Sequence, residues 1–372
     1  MKVAVIGAGF GDEGKGLTVN WLCKELQSFS PAVVRFSGGS QCGHGVRPDK
    51  NDQKLFHEFQ TLGSGTFQKC ETYWTKEVVF DPISVIKEID HIREINRHYP
   101  SITMHPECPV ITPYDVHINR TNDDNRNHGT VGKGIFTTKK REKDCYHFQA
   151  KDLESESIMK IKLEQISKYY NIVLEDSVIN LFLESATKLI RNIACIYEIN
   201  YDKDNWIFEG SQGLLLDKYI GFFPNCTPSK LDLPIKYGRF DATYIVTRAY
   251  HTRHGNGILT TEHLPIIRKN KWETNHKNDY QGEFRTGILD LDLLSHAIYS
   301  SNILTNSNVI NLVITCLDVV EGDWRLFQDG KVKVLGTEKE FVTYIVNYLK
   351  IPIHNVYLSH SPFSENIAKF ER

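Results

Sequence analysis

The chain has 372 residues, 40% of them hydrophobic, with a formal net charge of −2. That length supports one large α/β domain with a sizeable core, and the near-neutral charge argues against general nucleic-acid or membrane-surface binding. No apolar run approaches the ~20 residues that span a bilayer, and eight scattered cysteines without a C-x-x-C pair read as reduced thiols of a cytoplasmic protein, not as a zinc site or a disulfide framework.

The first element is an apolar strand at residues 3–6 (VAVI), followed by the run Gly11-Asp12-Glu13-Gly14-Lys15-Gly16 and a helix over residues 17–26. Strand, glycine-rich loop and helix start make a phosphate cradle, because glycines let backbone N–H groups approach an anion and the helix start adds partial positive charge. Lys15 adds a full charge. Asp12 is unexpected there: a carboxylate beside a polyphosphate is repelled unless it holds a metal ion or takes a proton. Two generic motifs fail informatively. Gly9 to Lys15 fits the first part of a P-loop, but Gly16 stands where Ser or Thr would reach Mg²⁺. Gly9, Gly11 and Gly14 also fit a dinucleotide fingerprint, yet the second strand, residues 32–36, ends in Ser37-Gly38-Gly39 and not in the acid that holds a ribose.

A second glycine cluster, Gly38 to Gly45, follows that strand and carries His44. In a parallel sheet both loops lie at the carboxyl ends of their strands, so His44 and Lys15 are expected to face one phosphate. Further along, residues 78–80 read as a strand and 82–95 as a helix opened by Asp81-Pro82. A third glycine run spans 129–134, and the spacing of apolar residues predicts helix throughout 151–199, taken as a helical insertion in a single domain 1–372. Short strands are predicted at 206–208, 244–246 and 309–315, with the run Glu209-Gly210-Ser211-Gln212-Gly213 after the first, and an amphipathic helix at 341–349. Segments 121–128, 138–144 and 270–283 read as polar loops of the kind that form lids. The alternation gives an α/β fold with a largely parallel central sheet and flanking helices.

These runs, in this order, resemble adenylosuccinate synthetase. Gly11 to Gly16 matches the family's GDEGKG; 38–44 matches GGxNAGH with Gln41 in the Asn place; 129–134 matches GTTGRG with Val131 and Lys133 as departures. Residues 209–217 match EGAQGxLLD, Thr252-Arg253-His254-Gly255 resembles TRVG, 285–290 resembles RxGWLD and 315–318 resembles TKLD. The resemblance implies a ligase that joins L-aspartate to C6 of a 6-oxopurine nucleotide after phosphorylating O6. It gives Asp12 the base that removes the N1 proton and His44 the donor to the moving phosphoryl. It puts Gly11, Glu13, Gly14, Lys15, Gly16, Gly43, Gly45, Asp318 and Ser361 on the nucleoside triphosphate, and Gln41, Thr130, Gln212 and Thr227 on the acceptor. Arg285 and Thr286 fall to aspartate, and Asp12 with the Gly43 carbonyl to Mg²⁺. It also implies a homodimer in which an Arg crosses to the partner's phosphate site, for which Arg141 and Lys143 are only neighbours of the expected place.

The departures point to a specialised member. Glu283 stands where the family has an Arg that touches the ribose 2′-hydroxyl. Cys316 replaces the Lys of TKLD, and Ser359-His360-Ser361-Pro362 stands for STGP in the guanine pocket. These changes resemble the viral branch that acts on dGMP, with ATP or dATP as donor, although that branch often lacks the Asp that this chain keeps at position 12. IMP with GTP is the alternative. A noncatalytic nucleotide sensor and a P-loop kinase are rivals of other classes.

Overall fold

The computed structural model describes residues 1–40, 42–121, 132–201, 205–266, 270–275, 282–320 and 322–371. Its strands are β1 (Lys2–Gly7), β2 (Ala32–Arg35), β3 (His44–Val46), β4 (His57–Phe59), β5 (Thr72–Trp74), β6 (Ile102–Met104), β7 (Ala194–Ile196), β8 (Trp206–Gly213), β9 (Phe240–Arg248), β10 (Tyr250–His254), β11 (Phe284–Asp290), β12 (Ser307–Thr315), β13 (Arg325–Gln328), β14 (Lys331–Val334), β15 (Ile353–Ser359) and β16 (Ile367–Lys369). Among the described residues, ten of them form one sheet in the order β16-β15-β12-β9-β1-β8-β2-β5-β6-β7. Its pairs are parallel except β15 with the edge strand β16.

β1 is central because it is apolar on both faces, as a strand covered on both sides must be. Val3 and Val5 pack beneath the first helix, α1 (Lys15–Glu25), with Val33, Ile207, Val246 and Val313; Ala4 and Ile6 point into the opposite core with Val34, Phe208, Ile245 and Leu312. The period of two assigns these faces.

Helices α2 (Pro82–Asn96), α3 (Pro113–Thr121), α4 (Ile135–Lys143), α5 (Glu156–Tyr170) and α6 (Asp176–Asn192) cover the β5–β7 end. Asp81 starts α2 by accepting from the N–H groups of Ile83 and Ser84, with Pro82 in the first turn, where its missing N–H costs nothing. The expected helical stretch 151–199 is two helices followed by a strand. Residues 194–196 pair with β6, so sheet pairing overrides a spacing that continued helical into Ala194. Residues 78–80 are extended but join no ladder: Val79 bridges Gly39 and Phe80 bridges Val110, with Pro82 closing the segment. The polar stretch 138–144 is not a loop but mostly α4, with Thr138 and Arg141 fully buried.

A second sheet, β10-β11-β13-β14, has no counterpart in the sequence reading. The chain leaves β9 at Arg248 and enters β10 at Tyr250, so one residue carries it from the main sheet to this one. That step brings Arg253 and His254 over the carboxyl end of β1. The remaining helices, α7 (Leu291–Tyr299), α8 (Ile303–Asn306) and α9 (Glu338–Leu349), back this half of the molecule. Among the described residues no helix is long and apolar enough to cross a membrane.

Candidate active site

A cavity of about 950 Å³ opens at the carboxyl ends of β1, β2, β8, β9 and β12, where ligands bind in open α/β sheets. It brings together Gly11, Asp12, Glu13, Gly14, Lys15 and Gly16 from the first loop, Gly43, His44 and Gly45 from the second, Gln212 and Thr227 beyond β8, and Asp318 and Ser361 at the far end. Arg285 and Thr286 do not line it. They lie on β11, and Arg285 donates to Glu262 at 2.7 Å and to the carbonyls of Gly255 and Gly257. Gln41 and Thr130 fall outside the described residues.

The first loop is pinned from three strands. The Asp12 carbonyl accepts from Arg248 Nε, the Gly11 carbonyl from Thr252 Oγ1 at 3.3 Å, and the Glu13 carbonyl from Thr315 Oγ1 at 2.7 Å. Gly14, at φ 95°, makes the left-handed turn into α1, whose N-terminus carries no side-chain cap and keeps its first N–H groups for an anion. The glycine at 16, which spoiled the P-loop match, has a packing cause. A Cβ there would sit 2.8 Å from His44 Cβ and 3.0 Å from Ser64 Oγ, so the helix start and His44 could not approach each other.

Glu13, expected among the triphosphate-binding residues, lines the cavity with its side chain directed back into the loop. Its carboxylate turns into the loop, accepts from Gly9 N at 3.0 Å and Gly11 N at 2.8 Å, and pairs with Lys15 Nζ at 2.5 Å. Burial alone would raise its pKa, but Lys15 and the Gly11 amide outweigh it and hold the carboxyl below its ordinary range. Glu13 therefore fills the part of the cradle nearest β1 and holds the Lys15 ammonium in place.

His44 is fixed by residues that sequence reasoning did not assign. Nδ1 meets Glu209 Oε1 at 2.5 Å and Nε2 meets the Ser211 carbonyl at 3.0 Å. Glu209 also accepts from Ser64 N at 3.0 Å and lies 3.7 Å from Arg35. Burial pushes Glu209 up, yet Arg35 and His44 outweigh it and hold its carboxyl at about 2. For His44, burial pushes the pKa below the ordinary value, with Glu209 opposing and Arg35 reinforcing. Both ring partners are acceptors, so the two contacts together need a doubly protonated ring. An anionic phosphoryl beside Nε2 would oppose the burial effect and favour that form.

Asp12, itself at φ 62°, faces the cavity. Burial raises its carboxyl pKa, Arg248 and His254 pull it down, and Glu273 and Glu13 push it up. His254 Nε2 lies 3.9 Å from Asp12 Oδ2. Across the cavity, Glu58 is raised by its own burial and by the Asp12 charge.

A sequence profile of adenylosuccinate synthetase matches residues 4–332. The chain belongs to the adenylosuccinate synthetase family. The family's adenylosuccinate synthetase from Neisseria meningitidis serogroup A is 28% identical over 350 residues, covering 86% of this chain and 78% of that protein. The fold matches the fully ligated adenylosuccinate synthetase of Plasmodium falciparum, with a TM-score of 0.76, 18% identity and 99% of each chain covered. It also matches the cyanophage S-2L succinoaminodeoxyadenylate synthetase bound to dGMP and dATP as an energy donor, with a TM-score of 0.62, 13% identity, all of this chain and 95% of that one. A ligase of this family forms a C–N bond between aspartate and a purine nucleotide.

Within that adenylosuccinate synthetase frame the cavity adds side chains that no motif announced. Arg248 links Asp12 to Glu273 at 2.6 Å, and Trp272 stacks on Arg47, which lies 4.9 Å from its ring centroid. The signal for Trp272 and Glu273 was their place in the long loop after residue 269. For Arg248 it was a charge at the end of an otherwise apolar strand. Arg141, a neighbour of the place where the family has its crossing Arg, is fully buried and paired to Asp115 at 2.9 Å within the chain.

Proposed function

We propose that this ligase takes dGMP as its acceptor and ATP or dATP as its phosphoryl donor, forming N6-succino-2-amino-2′-deoxyadenylate. The observation that carries the sugar assignment is the state of two guanidinium groups, Arg253 on β10 and Arg285 on β11. Arg253 donates to the carbonyls of Asn225, Asn256 and Ile258, and Arg285 is committed to Glu262, Gly255 and Gly257. Glu283, an exposed acid, stands where the family's ribose-touching Arg would be. An acceptor lacking the 2′-hydroxyl asks for no donor there. At the donor end, Cys316 and Ser359 beside Asp318 remove the lysine that suits guanine, while a carboxylate still accepts from the adenine amino group. The retained Asp12 and the names of the sequence relatives favour a second reading, IMP with GTP.

The residues divide the work as follows. Asp12 takes the proton from N1 as O6 attacks the γ-phosphorus and the bond to the bridging β–γ oxygen breaks. Once the nucleotide is bound, His44 Nε2–H, directed at the Ser211 carbonyl in the structure, donates also to the phosphoryl oxygens, with Glu209, itself paired to Arg35, holding the ring at Nδ1. Lys15 and the open N-terminus of α1 hold phosphate charge. The aspartate amine then attacks C6, and phosphate leaves with the O6 oxygen.

Mg²⁺ fits this donor set. The Asp12 carboxylate and the Gly43 carbonyl are hard oxygen ligands at one cavity wall. Among the described residues no cluster of three ligating side chains competes to enclose an ion, as suits a metal that completes its shell with phosphate and water. When bound, it would neutralise charge on the donor phosphates. The chain is read as one domain working in the cytoplasm, as a homodimer whose crossing residue is not Arg141.

The test crosses dGMP, GMP, IMP and dIMP with ATP and GTP in the presence of aspartate and Mg²⁺. Highest kcat/KM for dGMP with ATP supports the proposal. A strong preference for IMP with GTP overturns it in favour of the second reading.

A further inference from the structure

His254 occupies the third position of the stretch that otherwise reads as the family's TRVG, where the family carries valine. An imidazole placed there by β10 is a costly replacement unless it has work to do. Both ring nitrogens are shut off from solvent, and neither has a hydrogen-bond partner among the described residues. Burying a polar group unpaired costs about 1–3 kcal/mol, so such groups are rare without a ligand to complete them. The ring is held by packing against Phe284, centroid to centroid 4.9 Å, and that pair joins β10 to β11. It lines the same cavity as Asp12, with Nε2 3.9 Å from Asp12 Oδ2.

We infer that His254 reads the purine 2-amino group: with N1–H donated to Asp12, the neighbouring N–H on the same base edge donates to His254 Nε2. The inference rests on the dGMP reading and deepens it. Adjacent donors on one base edge need adjacent acceptors. A carboxylate oxygen on the first loop and an imidazole nitrogen on β10, 3.9 Å apart in the lining of one cavity, are placed as such a pair. Guanine supplies the second donor, and hypoxanthine has only hydrogen at C2. Bases held in enzyme pockets are read along this edge by hydrogen bonds of this kind. With a hypoxanthine nucleotide the imidazole lone pair would stay buried and unpaired. A site built to bond a group penalises the analogue lacking it.

Steric selection by the His254–Phe284 pair against the 2′-hydroxyl is a different proposal, and the experiment separates the two. Wild type, His254→Val and His254→Gln are assayed with dGMP and dIMP, which share a sugar, and the KM for aspartate is measured alongside. Thermal melts establish that each variant folds. The ratio of kcat/KM for dGMP over dIMP is expected to fall about 10- to 100-fold in His254→Val, the loss of one hydrogen bond to a buried acceptor, and to be partly kept in His254→Gln, whose carbonyl can still accept. An unchanged ratio in His254→Val, with wild type preferring dGMP, overturns the inference and leaves the dGMP reading standing. A rise confined to the aspartate KM also overturns it, because it would make His254 an aspartate contact. A wild-type preference for dIMP over dGMP sinks the dGMP reading itself.

Discussion

The two walls of the cavity are built on different principles. The phosphate wall, at the ends of β1, β2 and β8, is a closed network: Lys15 with Glu13, His44 with Glu209, Glu209 with Arg35 and Ser64. The opposite wall, at β10 and the far end of the cavity, which the proposal gives to base and sugar, holds a histidine without hydrogen-bond partners among the described residues and Arg253, which is committed to backbone carbonyls. Buried, paired charges suit a reaction step that does not change with the substrate. Substrate choice is written in single side chains on strands whose partners can change without disturbing that network. The difference suggests that substitutions on the first wall should destroy chemistry or folding, and those on the second should redirect it.

The largest effect is expected at Asp12. Asp12→Asn should lower adduct formation by at least ~10²–10⁴-fold, since the amide cannot take the N1 proton, while acceptor affinity by calorimetry stays within a few-fold. Full turnover in that variant would break the assignment of chemistry to the phosphate wall.

Glu209→Ala should come next, acting on both stability and rate. It leaves Arg35 buried without its partner, and breaking a buried pair costs about 3–5 kcal/mol by chemical denaturation. It also frees the His44 ring, so kcat should fall while the KM for the acceptor changes little. The same residue predicts a pH dependence with a definite sign. Its folded pKa of about 2 lies below the ordinary 4.5, so its stabilisation is present above 4.5 and is lost as pH falls toward 2. The gap in melting temperature between wild type and Glu209→Gln should therefore narrow over that interval, and a gap that widens would contradict the network.

Smaller effects belong to the second wall. Cys316→Lys should move donor preference toward GTP by about tenfold in kcat/KM, the scale of one hydrogen bond, without moving acceptor preference. Glu283→Arg should raise the relative use of GMP against dGMP by a similar or lesser factor. If either change abolished turnover with every nucleotide, the separation between the walls would be lost.

The phosphate wall was largely legible in the sequence, because glycine spacing, a lysine and a helix start are local signals. β1, β2, β9 and β12 showed themselves as apolar runs for the same reason. What stayed hidden depended on residues distant in the chain. Glu209 was visible inside a motif, but its bond to His44 spans 165 positions. The direction of the Glu13 side chain, turned toward Gly9 and Gly11, was not readable from its place in the motif. The second sheet was missed because β10 follows β9 after a single residue and its sequence, Tyr250–His254, is largely polar and offers no apolar run. Helical spacing across 151–199 hid β7, whose extended form is imposed by its neighbour β6.

The account turns on O6 leaving the purine as part of phosphate, with Asp12 taking the proton that permits it. The most direct measurement supplies dGMP labelled with ¹⁸O at O6, together with ATP, Mg²⁺ and aspartate, and follows the label by mass spectrometry. The account predicts ¹⁸O in the released inorganic phosphate, formed with wild type and lost with Asp12→Asn. Adduct formed while phosphate carries no label would contradict it.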